Sequence, residues 1–451
     1  MHIHIDPILK EVSSIFSRNG KEVCLVGGAV RDILLGKKAS DWDLASNASP
    51  EDVIRFFKYV IPTGIKHGTV TILYKGKSIE VTTYRTESDY SDGRHPDNVE
   101  YAATIEEDLS RRDFTMNAIA SKLPNGELID PFNGQIDIKK QIIRCVGNPD
   151  ERFSEDGLRP IRAVRFASQL QFLLDASTLQ AIPGALEKTA KVAPERIQQE
   201  LNKILMSGQP STAFRLMEET RLLSLILPEL AYCRGIDQKG YHKFDVIDHL
   251  LLACDAAAAE ETSLTVRLAA LFHDIGKPAT RRMGDSGVWT FYNHERESSK
   301  ITRKILSRLR YPNNTIDAVC HLIEQHMFHY EDIWSDAAVR RFIIRVGEEH
   351  INDLFALRRA DTFGTEAKPV DPRSLLPFQD RLEKILSQAK IQSLKDLSVT
   401  GKDLIDMGIP SGKQIGIILN ELLEAVIDDP ELNTRDKLLE IAGNIAQFHT
   451  R

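Results

Sequence analysis

The sequence predicts a multidomain α+β protein, with strands and helices in the first part of the chain and helices in the rest. The chain has 451 residues, which exceeds one ordinary hydrophobic core and indicates about three or four domains. Short β-type runs alternate with turns and helices up to about residue 145, and apolar residues then recur at three- and four-residue spacing. We predict four domains: a head at 1–145, an all-α neck at 146–232, a helical domain at 233–368 and a helical tail at 369–451.

Several segments are regular enough to assign to single elements. An apolar run predicts a buried strand, and two alternating runs around Lys75-Gly76-Lys77 predict a hairpin. Helical periodicity predicts three helices in the neck and one in the tail. The predicted strands are Val23–Val26, Thr69–Tyr74 and Ser78–Tyr84, and the predicted helices are Arg159–Leu170, Thr178–Lys188, Pro194–Leu205 and Gln414–Ala425.

The composition is typical of a globular protein of the cytoplasm. Hydrophobic residues make up 42% and charged residues 27% of the chain. No apolar run approaches the ~18 residues of a membrane-spanning helix, and the N-terminus lacks the pattern of a secretory signal. The five cysteines include no CxxC pair, which is typical of buried thiols in a reducing compartment. They are Cys24, Cys145, Cys233, Cys254 and Cys320.

The net charge of −7 argues against an indiscriminate nucleic-acid binder. It does not exclude RNA, because local clusters of positive charge set the field at a site. Each cluster, taken singly, is more often a solvated helix face. The candidate clusters are Lys139-Lys140, Arg162 with Arg165, and Lys300, Arg303, Lys304, Arg308 and Arg310.

The most informative motif is Gly27-Gly28 followed by Asp41-x-Asp43. The glycines come between a predicted strand and a predicted helix that carries Arg31, where backbone N–H groups can approach a triphosphate. Two aspartates at i and i+2 on a strand point to one face, and paired carboxylates suit Mg²⁺. Taken separately, the glycines could form a tight turn and the aspartates a solvated loop. Together they predict nucleotide chemistry that depends on metal ions.

Glu80, on the second strand of the predicted hairpin, is the candidate third carboxylate. We expect its strand to lie beside the strand of Asp41 and Asp43. The alternative is a cross-strand salt bridge with a lysine.

Two further motifs combine arginines with aspartates. Arg111-Arg112-Asp113 places guanidinium groups, which suit phosphates, beside a carboxylate that suits a ribose hydroxyl. In a helix, Asp156 and Arg159 are i and i+3 and share a face, and the pair could bind the edge of a flat base. The alternative is an ion-paired helix face. Arg162 and Arg165 continue that face and are available to phosphates.

In this order the motifs resemble those of the class II tRNA nucleotidyltransferase (CCA-adding enzyme) and bacterial poly(A) polymerase family. The resemblance covers residues 22 to about 232 and includes Arg31-Asp32, the run RRDFT-x-NA, DPFNG-x-x-D at Asp130–Asp137 and Glu155-Asp156-x-x-Arg159. It implies a polymerase-beta-like nucleotidyltransferase head, which is a mixed sheet with helices. One departure is Ala193-Pro194, where the family usually has a small hydroxyl residue.

The resemblance also implies an activity and roles for residues. The activity is template-independent addition of C, C and A to the 3′ end of tRNA from CTP and ATP. Asp41 and Asp43 would hold Mg²⁺, and Asp156 with Arg159 would select the base. Gly27, Gly28 and Arg31 would hold the triphosphate, and Arg112 with Asp113 the ribose and phosphates. The tail, with its run Val399–Leu419, would grip the tRNA elbow, and Glu87–Asp97 corresponds to a flexible loop linked to addition of the terminal A.

A second constellation lies in the predicted domain 233–368. Imidazole and carboxylate ligands together suit Mn²⁺, Fe²⁺, Ni²⁺ or Mg²⁺, although a single histidine on an apolar helix is usually a core residue. The pattern H…HD…D resembles the HD superfamily of metal-dependent phosphohydrolases, which implies a hydrolase with Lys277 facing a phosphate. A degenerate helical body is the alternative. The ligands are His249, His273, Asp274 and Asp361, with His294 and His326 for a second metal.

Three other functions remain open at the level of sequence. A poly(A) polymerase shares the head and neck motifs. An enzyme that adds only A, or only CC, would share them as well, although the intact segment Ser88–His95 argues against a CC-only enzyme. A nucleotide-responsive HD phosphohydrolase is the alternative from another class, and the intact Asp41-x-Asp43 argues against it. The sequence leaves the oligomeric state open.

Overall fold

The computed structural model describes residues 2–39, 41–65, 68–88, 98–238, 243–284, 288–331, 333–368, 371, 375–388 and 394–449. The chain divides into two compact units. The first unit contains Met1–Arg234 and Ile305–Pro312, and the second contains Gly235–Lys304 and Asn313–Arg451. The division into four domains remains a prediction.

The strands are concentrated in the first unit, in the region predicted as the head. They are β1 Val23–Val26, β2 Trp42–Ser46, β3 Val60–Gly64, β4 Thr69–Tyr74, β5 Lys77–Thr83, β6 Arg85–Ser88, β7 Asn98–Tyr101, β8 Ala120–Lys122, β9 Leu128–Ile129, β10 Ile142–Ile143, β11 Leu173–Leu174, β12 Arg282–Met283 and β13 Trp289–Thr290.

Helices connect these strands and form most of the rest of the described chain. They are α1 Pro7–Arg18, α2 Gly28–Leu34, α3 Pro50–Phe56, α4 Ile105–Ser110, α5 Gly134–Lys140, α6 Pro149–Glu155, α7 Arg159–Leu170, α8 Ala176–Ala181, α9 Leu186–Thr189, α10 Pro194–Leu205, α11 Pro210–Glu219, α12 Leu222–Ile226, α13 Pro228–Ala231, α14 Val246–Ala259, α15 Leu264–Phe272, α16 Lys277–Thr280, α17 His294–Arg308, α18 Asn313–Gln325, α19 Asp336–Val346, α20 Ile351–Glu366, α21 Leu376–Gln388, α22 Gly401–Asp406, α23 Lys413–Asp428 and α24 Arg435–His449.

A seven-stranded mixed sheet has the order β3-β4-β5-β2-β1-β8-β9. The predicted strand Val23–Val26 is confirmed as β1, and all four of its residues are buried. The predicted hairpin is confirmed as β4 and β5, within one residue at each end of β5. Strand β2 runs antiparallel to β1 and parallel to β5. This parallel pair brings together residues that are far apart in the sequence.

The helices of the neck follow the predicted pattern with one exception. Helices α7 and α10 have the predicted bounds. The single helix predicted at Thr178–Lys188 is wrong, because α8 ends at Ala181 and a 3₁₀ turn, Ile182–Ala185, separates it from α9. Pro183 lies in that turn, where it cannot donate a backbone hydrogen bond.

In the second unit, α14 packs against α15 and α20. A separate apolar core joins the helices of the C-terminal region and includes Leu404, Ile418, Leu422, Val426 and Leu438. The predicted tail helix Gln414–Ala425 is confirmed within α23. Helices of the described chain all fall short of the length and apolarity that crossing a membrane requires.

The cysteines are confirmed as buried thiols. All five are buried, and none of them forms a disulfide bond. Burial raises the pKa of the Cys24 thiol to about 11 and that of the Cys145 thiol to about 12. The thiols of Cys24 and Cys145 are therefore protonated at neutral pH.

Candidate functional site

A cavity of about 990 Å³ opens in the first unit between the sheet and the helices of the neck. Most of the predicted nucleotide-site residues line it. Asp41 lies one residue before β2 and is not among the described residues that line the cavity. The predicted residues that do are Gly27, Gly28, Arg31, Asp43, Glu80, Arg112, Asp113, Asp156, Arg159, Arg162 and Arg165.

Asp43 and Glu80 are direct neighbours in the parallel pair β2–β5. Partial desolvation by the surrounding protein raises the pKa of Asp43, although its side chain stays exposed at the cavity edge; Arg112 opposes the shift and Asp41 adds to it. Burial and the charge of Asp43 likewise raise the pKa of Glu80. Two neighbouring carboxylates are difficult to ionise at the same time. Their oxygens form a donor set that fits a divalent cation.

Gly27 precedes α2 in a left-handed conformation, with φ of 71°. A Cβ atom added there would lie 2.9 Å from Nη1 of Arg112. A side chain at this position would therefore be strained and would displace the guanidinium group. The glycine allows Arg112 to lie against the backbone at the start of α2.

Asp108 fixes the two arginines of the Arg111-Arg112 pair. Its carboxylate is buried and accepts hydrogen bonds from Arg111 Nη2 at 2.7 Å and Arg112 Nη2 at 3.1 Å. Burial opposes its ionisation, but the two guanidinium groups lower its pKa below the usual value. Sequence reasoning missed Asp108, although its i+3 and i+4 spacing to the arginines was a usable signal.

Asp113 binds Arg162 in this structure. The Asp113 Oδ2 atom accepts from Arg162 Nε at 2.8 Å and Nη2 at 2.6 Å, and Oδ1 accepts from Asn117 Nδ2 at 3.2 Å. Burial works against the charge, but Arg162 holds the pKa of Asp113 at about 2. Asp113 is therefore ionised and orients a second cation of the cavity.

The structure contradicts the expectation that Asp156 and Arg159 share one helix. Asp156 follows α6 with extended backbone angles, and α7 begins only at Arg159. Gly157 lies between them, where a Cβ atom would approach Lys188 O at 2.5 Å. Pro160 suits the first turn of a helix better than its interior. The chain therefore breaks between the two residues, although both line the cavity.

Each residue of this pair also has its own partner. Asp156 accepts from Arg196 Nη1 at 3.2 Å and Nη2 at 2.8 Å. Arg159 pairs with Glu155 and donates to the carbonyl oxygens of Arg152 and Arg111, both at 2.9 Å. Sequence reasoning missed Arg196, and its position in the run Val192–Leu205 was the only signal.

Arg165 is paired as well. It is 5% exposed, and its Nε donates to Glu200 at 2.8 Å. Burial lowers the pKa of Arg165, although Glu200 opposes the shift. The predicted availability of Arg162 and Arg165 to phosphates is therefore reduced by their carboxylate partners, Asp113 and Glu200.

The second unit brings the predicted histidines and aspartates together. His249 Nε2 lies 3.0 Å from His273 Nε2, 3.2 Å from Asp274 Oδ2 and 3.3 Å from Asp361 Oδ1. His273 Nε2 lies 3.4 Å from the same Asp361 oxygen. Two overlapping sets of potential metal ligands result: His249, His273 and Asp361, and His273, Asp274 and His326.

Asp274 lies at the centre of this cluster. Its Oδ1 is 3.1 Å from His294 Nε2 and 3.8 Å from His326 Nε2. Among the described residues, Asp274 Oδ1 and His294 Nε2 are buried, and their 3.1 Å contact does not have the geometry of a hydrogen bond. Orphaned ligand atoms that converge in this way fit a metal ion.

His249 and Lys277 compensate the charge of the buried carboxylates, whereas His326 does not. Burial opposes the charge on His249, but Asp274 and Asp361 raise its pKa to about 9. Burial, followed by His273, lowers the pKa of His326 to about 3. Lys277 Nζ lies 2.5 Å from Asp274 Oδ2 and donates to Gln238 Oε1 at 2.5 Å.

The cluster opens onto a second cavity of about 610 Å³. Lys277, Arg358 and the aromatic residues Trp289, Phe291 and Tyr292 line this cavity. It therefore combines the candidate metal centre with positive charge and apolar rings.

Several residues of the predicted basic clusters are paired with carboxylates. Arg303 pairs with Asp317, Lys300 with Glu297 and Arg308 with Glu229. Lys139-Lys140 ends α5. Most of Glu87–Asp97 lies outside the described residues, and the prediction that it is mobile stays a prediction.

Three family models match the chain. The poly A polymerase head domain matches residues 23–144. The probable RNA- and SrmB-binding site of polymerase A matches 171–233, and the putative tRNA nucleotidyltransferase domain 2 matches 285–442. The matches extend over both units.

Similar proteins cover almost the whole chain. The CCA-adding enzyme of Geobacillus thermodenitrificans is 34% identical over 94% of this chain and 93% of its own length. That of Lactobacillus johnsonii is 32% identical over 96% and 95%. The crystal structure of the Bacillus stearothermophilus CCA-adding enzyme in complex with CTP has a TM-score of 0.74 and 29% identity, covering 99% of this chain and 100% of that one.

These similarities agree with a mixed-sheet, polymerase-beta-like head that carries paired carboxylates beside an arginine-lined cavity. A nucleotidyltransferase of this kind depends on a divalent metal ion. The chain belongs to the CCA-adding enzyme family and is a tRNA nucleotidyltransferase.

Proposed function

We propose that the cavity of the first unit is where this enzyme adds C, C and A to the 3′ end of tRNA from CTP and ATP. The observation that carries the proposal is the pairing of Asp43 with Glu80 at the edge of a cavity lined by arginines. Carboxylates and guanidinium groups are the two donor types that a nucleoside triphosphate and its metal require.

The carboxylates would hold Mg²⁺. Asp43 and Asp41 are the primary ligands in this proposal, and Glu80 is the third carboxylate. When bound, the metal supplies stabilisation of the negative charge that develops when the 3′ hydroxyl attacks the α-phosphate. The raised pKa of Asp43 and that of Glu80 mean that their ionised forms are disfavoured without a counter-charge. A bound cation would supply that charge and favour ionisation.

The phosphates and the base would have separate partners. Gly27, Gly28 and Arg31 hold the triphosphate, and Arg112, fixed by Asp108, lies beside them. Asp113 acts on the nucleotide through Arg162 in addition to its predicted contact with the ribose.

Asp156 and Arg159 are the proposed selectors of the base. In this structure Asp156 forms an ion pair with Arg196, and Arg159 forms one with Glu155. Each can exchange its partner for the edge of a base, since a base offers both donors and acceptors. Arg196 thus enters the proposed set through its hold on Asp156.

Product sequencing tests the main proposal. The substrate is a tRNA that ends at its discriminator base, supplied with CTP alone, ATP alone or both nucleotides. We expect two C residues with CTP, and C, C and A with both. A ladder of A residues would identify a poly(A) polymerase, and addition of A only to a tRNA that already ends in CC would identify an A-adding enzyme.

We also propose a metal-dependent phosphohydrolase site in the second unit. The convergence of His249, His273, Asp274 and Asp361, with orphaned atoms on Asp274 and His294, supports it. Mn²⁺, Ni²⁺, Fe²⁺ or Mg²⁺ would fit the mixed imidazole and carboxylate set. When bound, the metal would supply an activated water for attack on a phosphoester.

Hydrolysis of 2′,3′-cyclic nucleotides and phosphomonoesters, measured with each metal, tests this second site. Absence of hydrolysis with all four metals would mean that this region is a structural body. The binding of the tail to the tRNA elbow and the cytoplasmic location remain predictions.

A further inference from the structure

Three guanidinium groups surround the ring of Phe166 in the cavity of the first unit. Phe166 is 4% exposed, lies on α7 and lines the cavity. The guanidinium carbon of Arg165 lies 3.4 Å from the ring centroid, that of Arg31 5.2 Å and that of Arg162 5.5 Å. One aromatic ring therefore joins cations from α2 and α7.

A carboxylate holds one edge of each guanidinium group. Arg31 donates to Asp32 Oδ1 through Nε at 2.9 Å and Nη2 at 2.8 Å. Arg162 is held by Asp113, and Arg165 by Glu200. The face of the ring and the carboxylates thus act on the same three cations.

Like charges this close repel one another, and the repulsion is stronger where water is scarce. The negative face of an aromatic ring attracts guanidinium groups, and this attraction grows as the groups are desolvated. An aliphatic side chain of similar size would fill the space without this attraction. An aromatic side chain at position 166 therefore stabilises the cluster in a way that an aliphatic side chain would not.

We propose that Phe166 is a positioning residue for nucleotide addition, whose ring gathers Arg31, Arg162 and Arg165 so that the N–H donors not used by their carboxylate partners can meet the triphosphate. The inference rests on the proposed location of nucleotide addition in this cavity. Planar guanidinium forks suit phosphate oxygens. Because CTP and ATP share the triphosphate, the contribution of Phe166 is the same for both nucleotides.

The test compares Phe166→Leu, Phe166→Tyr and the wild-type enzyme. KM and kcat are measured for addition of C and of A, together with the inhibition constant of inorganic tripolyphosphate. We expect Phe166→Leu to raise both KM values and the inhibition constant by about tenfold. We expect kcat to change little and the tyrosine variant, which keeps the ring, to stay near wild type.

Phe214→Leu is the matched control. Phe214 is fully buried on α11, which packs against α7. This variant removes the same atoms from a core position, so we expect a lower melting temperature and unchanged KM values. Equal increases of KM in both leucine variants, without restoration by tyrosine, would mean that Phe166 only packs the core.

Two results separate the inference from the proposed function. If the wild-type enzyme adds C and A but Phe166→Leu leaves KM and tripolyphosphate inhibition unchanged, the inference is wrong and the proposed function stands. If the wild-type enzyme adds no nucleotide, the proposed function is wrong. Calorimetric binding of tripolyphosphate to the wild-type and Phe166→Leu proteins then decides the inference independently.

Discussion

The two cavities of the protein hold negative charge in different ways. In the first unit, Asp43 and Glu80 lie at the edge of an open cavity, and most of the surrounding cations are already paired with other carboxylates. In the second unit, Asp274 and Asp361 are buried among histidines that converge on them. The first arrangement supplies only part of the ligands that a metal ion needs. In the second, protein side chains supply nearly all of them.

This difference bears on how each site would acquire its metal. Mg²⁺ commonly binds through one or two carboxylates together with substrate phosphates, which matches the sparse set in the first unit. Imidazole and carboxylate ligands that are assembled in advance suit a resident transition metal. We therefore expect the first site to gain its metal with the nucleotide and the second to retain metal by itself.

The largest expected effect is on chemistry in the first unit. Asp43→Ala should reduce incorporation of both CMP and AMP by about a thousandfold or more, because a metal ligand stabilises the transition state. Binding of tRNA, measured by filter retention, should be almost unchanged. Turnover that persists at saturating Mg²⁺ would refute the role of Asp43, and Asp41→Ala tests the same role for Asp41.

The second prediction separates the two cavities. The double change His273→Ala, Asp274→Ala should abolish retention of Mn²⁺ or Ni²⁺, measured by elemental analysis after loading and desalting, and any phosphoester hydrolysis. CCA addition should survive within several-fold. The melting temperature must be measured alongside, because loss of a metal can cost folding energy.

His329→Ala is the control for this prediction, because His329 is exposed and pairs only with Glu331 among the ion pairs of the described chain. This variant should retain metal. If the double variant folds well and keeps a full complement of metal, the proposed centre is wrong. If it folds well but loses CCA addition, the two sites are coupled.

A smaller effect is expected for base selection. Asp156→Ala or Arg159→Ala should reduce the preference for CTP and ATP over UTP and GTP by about tenfold, since a polar pair left without its partner discriminates against the wrong base. Ratios of kcat/KM for the four nucleotides provide the measurement. Arg196→Ala should change the same ratios if Arg196 orients Asp156, whereas unchanged ratios in all three variants would place base selection elsewhere.

The last predicted effect concerns stability. The pKa of Asp113 is about 2 because Arg162 overcomes the effect of burial. A carboxylate with a lowered pKa stabilises the folded state above its unfolded pKa, and the contribution disappears as the pH falls through the folded value. Asp113→Asn should therefore lower the free energy of unfolding by about 2 kcal/mol at pH 7.

Urea titrations between pH 7 and pH 2 check this prediction. The difference between wild type and Asp113→Asn should be constant above about pH 4 and should shrink between about pH 4 and pH 2. A difference that does not depend on pH would mean that shape rather than charge determines the contribution of Asp113.

Local sequence patterns predicted much of this fold. Strand β1, the hairpin β4–β5 and helices α7 and α10 follow from periodicity and turn residues. Pro183 was a visible helix breaker in the segment that was wrongly predicted as one helix. The parallel pairing of β2 with β5 could be expected only loosely, because a pattern of residues does not fix the order of strands.

The site was harder to predict where partners come from distant segments. The spacing of Asp156 and Arg159 suggested one shared helix face, but Arg196 binds Asp156 from α10 and Glu155 binds Arg159. Tertiary geometry decides which charged side chains pair with one another. The spacing of residues along the sequence does not determine that geometry. Nothing in the sequence assigned Phe166 to the site, since a phenylalanine in an apolar pattern is usually a core residue.

The five buried cysteines have a practical consequence for labelling. Alkylating reagents and maleimide dyes react with exposed thiolates, whereas burial covers all five thiols and raises the pKa of Cys24 and that of Cys145. A cysteine introduced at an exposed position such as Tyr292, on the rim of the second cavity, would therefore be the preferred target in the otherwise natural chain. Fluorophores can thus be attached at chosen positions without first removing the native cysteines.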